Sequence, residues 1–132
     1  MRSLRESLVD SAREAREAAY APYSEFKVGA AALFAGGRIF TGCNVENASR
    51  GATRCAEQVA ILTGVAAGCR RLEAVAVVTE GDTPAWPCGI CRQVIYEFGP
   101  QATVIAATVD GAIEEASIQE LMPRPFGPGA LD

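Results

Sequence analysis

A chain of 132 residues, 49% of them apolar and with a net charge of −4, has room for one domain and is too apolar to be globally disordered. Its Lys and Arg never gather into a long basic run, which argues against a nucleic-acid binder and leaves a small neutral or anionic substrate open. The longest apolar run, residues 59–68, is broken by Thr63 and Gly64 and is too short for a membrane span.

The first six residues are charged where a signal peptide needs an apolar core, so a cytoplasmic protein is expected. Ser3 and Glu6 form a capping-box pattern, and Leu4, Leu8, Ala12 and Ala15 recur at helical spacing, which predicts a first helix to about Ala19. Pro22 disfavours its continuation. Residues 28–34 and 38–45 are strand-like, and Ala35-Gly36-Gly37 between them predicts a hairpin. The first of these strands contains Gly29-Ala30-Ala31-Ala32, a run of small rather than β-branched residues.

Residues 46–53 are polar and read as a loop. A helix is then predicted from about Cys55 to Gly68, apolar nearly all round and therefore expected to be buried. Residues 73–79 form a strand apolar enough to be central in a sheet. A loop with two prolines leads to a short helix from about Cys88 to Phe98, closed by Gly99-Pro100. Residues 103–109 form a further strand, Asp110-Gly111 a turn, and residues 112–116 a weak edge strand. Ser117 and Glu120 repeat the capping-box pattern for a last short helix, followed by a Pro- and Gly-rich tail carrying Phe126. Helices alternating with strands after a hairpin predict an α/β fold, a three-layer α-β-α sandwich on a mixed five-stranded sheet, as one domain over residues 1–132.

Two stretches carry chemistry, Cys55-Ala56-Glu57 and Pro87-Cys88-Gly89-Ile90-Cys91. The chain has five cysteines and no histidine, so a zinc ion would be held mainly by thiolates. Three protein ligands leave a fourth position open, as in catalytic rather than structural sites. Both groups fall at predicted helix N-termini, where unpaired N–H groups favour thiolate. Cys88 and Cys91 are three apart and share a helix face. Glu57 points away from Cys55 on a regular helix, but reaches the same pocket if Cys55 lies in the first, frayed turn. There it would act as general acid and base. Two other readings stay open: Cys88 and Cys91 as a dithiol oxidoreductase pair, or a structural zinc closed by Cys43 or Cys69. Both of these cysteines also fit the role of buried apolar residues.

Cys-Ala-Glu followed by Pro-Cys-Gly-Ile-Cys-Arg-Gln resembles the zinc-dependent cytidine deaminases. Residues 21–31 (APYSEFKVGAA), residues 37–49 (GRIFTGCNVENAS) and the terminal Pro-Phe-Gly-Pro extend the likeness over most of the chain. Cys55, in place of the His of many nucleotide- and nucleic-acid-acting relatives, points to the small free-nucleoside branch. The resemblance implies one zinc per subunit on Cys55, Cys88 and Cys91, with Glu57 as the proton shuttle in hydrolytic deamination of cytidine and deoxycytidine for pyrimidine salvage. It implies Asn44 and Glu46 as ribose ligands and backbone groups of Ala56 and Pro87 on the base edge. Phe26 would be a pocket wall, and Phe126 an aromatic stacking on the base from a neighbouring subunit of a homotetramer with shared sites. A deaminase of another aminopyrimidine nucleoside, such as a blasticidin-type antibiotic, is the alternative; the Asn44–Glu46 pair favours a ribose-type sugar. The chain departs from the family at Gln58, where three-cysteine members commonly carry an Arg that offsets thiolate charge. Arg92 or Arg54 is the expected substitute. Arg50 replaces the Tyr that follows Asn-Ala-Ser, and Arg54 is unusual before Cys55.

Overall fold

Capping and apolar spacing set the elements of the computed structural model, which describes residues 3–131. Met1 and Arg2 of the charged N-terminus and Asp132 of the tail lie outside the described residues. Helix α1 spans Leu4–Arg16, with Ser3 Oγ accepting the Glu6 N–H. The Ser3 hydroxyl itself meets the Glu6 carboxylate, so only one half of the predicted capping box forms. The helix stops at Arg16 rather than at Ala19 because Tyr20 is drawn into a bridge with Val45. The Tyr20 N–H donates to the Asn44 carbonyl, and the Tyr20 carbonyl accepts from the Glu46 N–H.

Strands β1 (Gly29–Phe34) and β2 (Arg38–Cys43) form the predicted hairpin. Its loop needs left-handed backbone at Gly36 (φ 90°) and Gly37 (φ 80°), which a side chain would oppose. β2 ends at Cys43, two residues earlier than predicted. Next come a 3₁₀ turn at Arg50–Ala52, helix α2 (Ala56–Ala66), strand β3 (Leu72–Thr79), helix α3 (Gly89–Phe98) and strand β4 (Thr103–Thr108). Strand β5 (Ile113–Ser117) leads into helix α4 (Ile118–Leu121), whose predicted capping box between Ser117 and Glu120 is complete. A 3₁₀ turn at Pro128–Leu131 closes the described chain.

The sheet order is β2-β1-β3-β4-β5. Only β3 and β4 run parallel, and α3 supplies the crossover that a parallel pair requires. This is the expected mixed five-stranded sheet. Alternate β1 residues face opposite layers. Ala31 and Leu33 meet α1 through Leu8, Val9 and Ala12, while Ala30, Ala32 and Phe34 join the core under α2 and α3. The small residues of β1 thus have a physical reason. The strand is buried on both faces, and short side chains let a helix approach from each side.

Helix α2 corrects one expectation. Its buried face carries Ala56, Ala60, Ile61 and Gly64, but Leu62 is 43% exposed, so the helix is covered on one side rather than all round. The covered side sits very close to β2. A Cβ built at Gly42 would lie 2.5 Å from the Ala60 nitrogen and 2.7 Å from the Ala56 carbonyl oxygen. Gly42→Ala is therefore expected to destabilise the fold by about 2 kcal/mol, because backbone rather than a yielding side chain blocks the new methyl. Urea unfolding checks this, and an unchanged midpoint would show that α2 can retreat freely.

Candidate metal centre

Helices α2 and α3 aim their N-termini at one place. Cys55 is the N-cap of α2 and Cys88 the N-cap of α3, each with extended backbone. Cys91 follows in the first turn of α3 and is fully buried. The three Sγ atoms lie within 4.8 Å of one another, and the Cys88 and Cys91 sulfurs are 3.5 Å apart. Thiolates about 2.3 Å from a tetrahedral zinc would stand about 3.8 Å apart, so the spacing fits. No fourth histidine, cysteine or carboxylate joins this group among the described residues, which leaves an open position. Cys43 ends β2 and Cys69 packs on the core beside α2; neither belongs to the cluster. A dithiol pair alone would not account for Cys55 and Glu57 at the same point.

The protonation of the thiols fits a cation. The Cys91 thiol, bonded to Cys55, draws the Cys55 pKa down to about 6, with Cys88 and the charge of Arg54 adding to the effect. The same bond and burial push Cys91 the other way. A metal bound here would displace the thiol protons. Glu57, in the first turn of α2, is buried, and burial pushes its carboxyl up to about 7.

Gln58 occupies the place of the family's arginine and still reaches sulfur: its Nε2 donates to Cys91 Sγ at 3.6 Å. Arg92 does not. Its guanidinium donates to the carbonyls of Pro87 (2.7 Å) and Leu121 (3.1 Å), tying α3 to the loop before it and to α4. Arg54 spends its hydrogen bonds on the carbonyls of Gly51 and Thr53, and acts on Cys55 through charge alone. Replacing Gln58 by Ala is expected to lower zinc affinity about tenfold. Competition with a chelator measures it, and an unchanged affinity would leave the amide–sulfur contact without a role.

A cavity of about 310 Å³ opens over the thiols. Phe26, Asn44, Glu46, Ala56 and Glu57 all line it together with Cys55, Cys88 and Cys91. Asn44 and Glu46 lie just beyond the end of β2. Each side chain holds the segment before β1. Asn44 Oδ1 accepts from the Val28 N–H, and its Nδ2 donates to the Phe26 carbonyl. The Glu46 carboxylate accepts the backbone N–H groups of Tyr23 and Ser24 and the Ser24 hydroxyl, which hold it below the usual carboxylate range. Pro87 is buried just outside the lining, next to Cys88. Phe126 is away from the cavity in its own chain, 60% exposed, with its carbonyl accepting from Gln93.

Among the lining residues that escaped the sequence reading are Val77, Thr79 and Trp86. Val77 and Thr79 are alternate residues at the end of a central strand. Trp86 stands two residues before Cys88 in a loop bracketed by Pro84 and Pro87. Either pattern is a signal, but only once the sheet order is known.

The comparisons with known proteins agree with this geometry. Residues 2–107 match the family profile described as the cytidine and deoxycytidylate deaminase zinc-binding region. The chain is 44% identical to a cytidine deaminase of Sporosarcina psychrophila over 92% of its length and 90% of that protein. It is 45% identical to a cytidine deaminase of Halalkalibacterium halodurans, covering 92% of this chain and 93% of the other. A crystal structure of cytidine deaminase from Burkholderia pseudomallei superposes with a TM-score of 0.87 at 47% identity, over 91% of this chain and 97% of that one.

Proposed function

The chain belongs to the cytidine and deoxycytidylate deaminase family, and from that membership we propose that it hydrolyses cytidine and deoxycytidine to uridine and deoxyuridine with release of ammonia. The observation that carries the reading is the coincidence of three sulfur donors, one buried carboxyl and a cavity of nucleoside size. Cys55, Cys88 and Cys91 hold the zinc ion. When bound, zinc supplies Lewis acidity that makes water a nucleophile near neutral pH.

The remaining chemistry falls to the chain's own groups. Glu57 accepts a proton from the attacking water, passes it to ring N3, and carries a second proton to the departing amine. Its pKa, pushed to about 7 by burial, suits a group that must both take and give. The backbone of Ala56 and Pro87 holds the edge of the base, and Phe26 forms a wall beside it. Asn44 and Glu46 take the ribose hydroxyls. Their hydrogen bonds to residues 23–28 fix them in place, and their oxygens retain lone pairs for a sugar.

Residues 1–132 act as a single catalytic domain in pyrimidine salvage, in the cytoplasm. No helix among the described residues is long and apolar enough to cross a membrane. The exposed side chains of Leu62, Ile90 and Phe126 support a homotetramer in which Phe126 serves a neighbour's cavity. Sedimentation at one chain mass would remove that part of the reading.

The test of function is ammonia release from cytidine and deoxycytidine by the zinc-loaded protein. Turnover of both is expected. A zinc-loaded protein that released no ammonia from either would overturn it.

A further inference from the structure

Trp86 is the chain's only tryptophan, and it lines the cavity that holds the three thiols and Glu57. It is half-buried and packs against the core beneath α2 and α3, so its position is held before any ligand arrives. The loop around it is stiff, since Pro84 and Pro87 bracket it and Arg92 clamps the Pro87 carbonyl at 2.7 Å. Its indole N–H has no partner among the described residues.

The rest of the lining shows why an aromatic matters here. The polar side chains over the sugar end are oriented by hydrogen bonds within the chain. Ser24 bonds Glu46 and the Phe26 N–H, the Asn44 amide bridges Phe26 and Val28, and Thr53 accepts the Asn47 N–H. Recognition of a flat heterocycle then rests on backbone groups, Glu57, the Thr79 hydroxyl, which is unpartnered among the described residues, and apolar walls. Of the apolar walls, Phe26 and Trp86 alone are aromatic, and an aromatic face binds a nucleobase by stacking and dispersion.

We propose that Trp86 is a substrate-binding residue, its indole packing against the nucleoside held over the thiols. The inference rests on the cavity being the nucleoside site. Binding should therefore be visible in the protein's own emission, because no second tryptophan dilutes the signal.

The experiment uses the zinc-loaded full chain titrated with uridine, the reaction product, which binds without turning over. A saturable change in Trp86 emission is expected, with a midpoint matching the concentration at which uridine inhibits ammonia release from cytidine. Trp86→Ala is expected to raise KM for cytidine about tenfold, which is about 1.4 kcal/mol, with kcat within about threefold. Trp86→Phe, which keeps an aromatic face, should retain most of the affinity. A merely structural role would lower the unfolding temperature but leave KM in place.

Emission that stays unmoved while uridine inhibits turnover would overturn the inference, as would a wild-type KM in a folded Trp86→Ala variant. Should Trp86→Ala fail to fold, the wild-type titration still decides it. A wild-type protein that neither releases ammonia nor responds to uridine would instead sink the reading of the site itself, and this inference with it.

Discussion

Glu57→Gln is expected to lower kcat for cytidine by about 10²–10⁴ while zinc stays bound, because proton transfer by a positioned side chain contributes about that much. The amide matches the carboxyl in size, so the packing of α2 survives. It cannot accept the water's proton or deliver one to the ring. The proposed donors to the metal are the three sulfurs, which the substitution leaves alone. A control with the opposite sign makes the result specific. Glu57 is 5% exposed, and its burial disfavours the charged form. An uncharged amide removes that cost, so the variant should unfold no earlier than the wild type. Loss of turnover with zinc and stability retained assigns the proton transfer to Glu57. A zinc-loaded variant within about tenfold of wild type would take general acid–base work away from it.

The same residue shows what the sequence could and could not say. Cys55 and Glu57 are two apart, and a regular helix would point them away from each other. They meet one cavity because Cys55 is the N-cap, with extended backbone, and only Glu57 is inside the helix. That geometry was legible as a condition on the helix start. The alternation of helices with strands, the hairpin and the turn glycines were also legible, since each rests on local spacing. The end of α1 was not. Its last residues keep helical composition, but Tyr20 is held by Val45, a partner 25 positions away in sequence, since 45 − 20 = 25.

The one-sided burial of α2 was hidden for a related reason. Its composition is apolar on every face, and composition does not say which face the sheet covers. Gln58 is a third case. Read alone it is a lost charge, but in the fold it still reaches the sulfur of Cys91, and Arg54 supplies charge from the other side of Cys55. Trp86 needed the fold outright, because only the placement of the 80–87 loop over the ends of α2 and α3 turns a loop aromatic into a cavity wall.

Cys91→Ser should abolish activity by another route, through the metal. Cys91 is the fully buried member of the cluster and lies at the meeting point of Cys55, Cys88 and Gln58. A serine oxygen is a harder and shorter-reaching donor than thiolate, and it stays protonated where a thiolate forms. Two sulfurs remain, and zinc affinity is expected to fall by more than about 100-fold, beyond the loss typical of a mere outer partner. The fold should persist, because the Gln58 amide that now donates to sulfur can donate to the new hydroxyl and spare it the cost of an unpaired buried group. The readout is zinc per chain after exposure to a competing chelator, taken beside ammonia release. Cys43→Ser is the matched control, since Cys43 lies outside the cluster at the end of β2 and should keep both metal and turnover. Equal zinc retention in the two variants would remove Cys91 from the ligand set. Activity surviving zinc loss would cut deeper, since the open fourth position is the reason these three sulfurs and one carboxyl were read as a catalytic site.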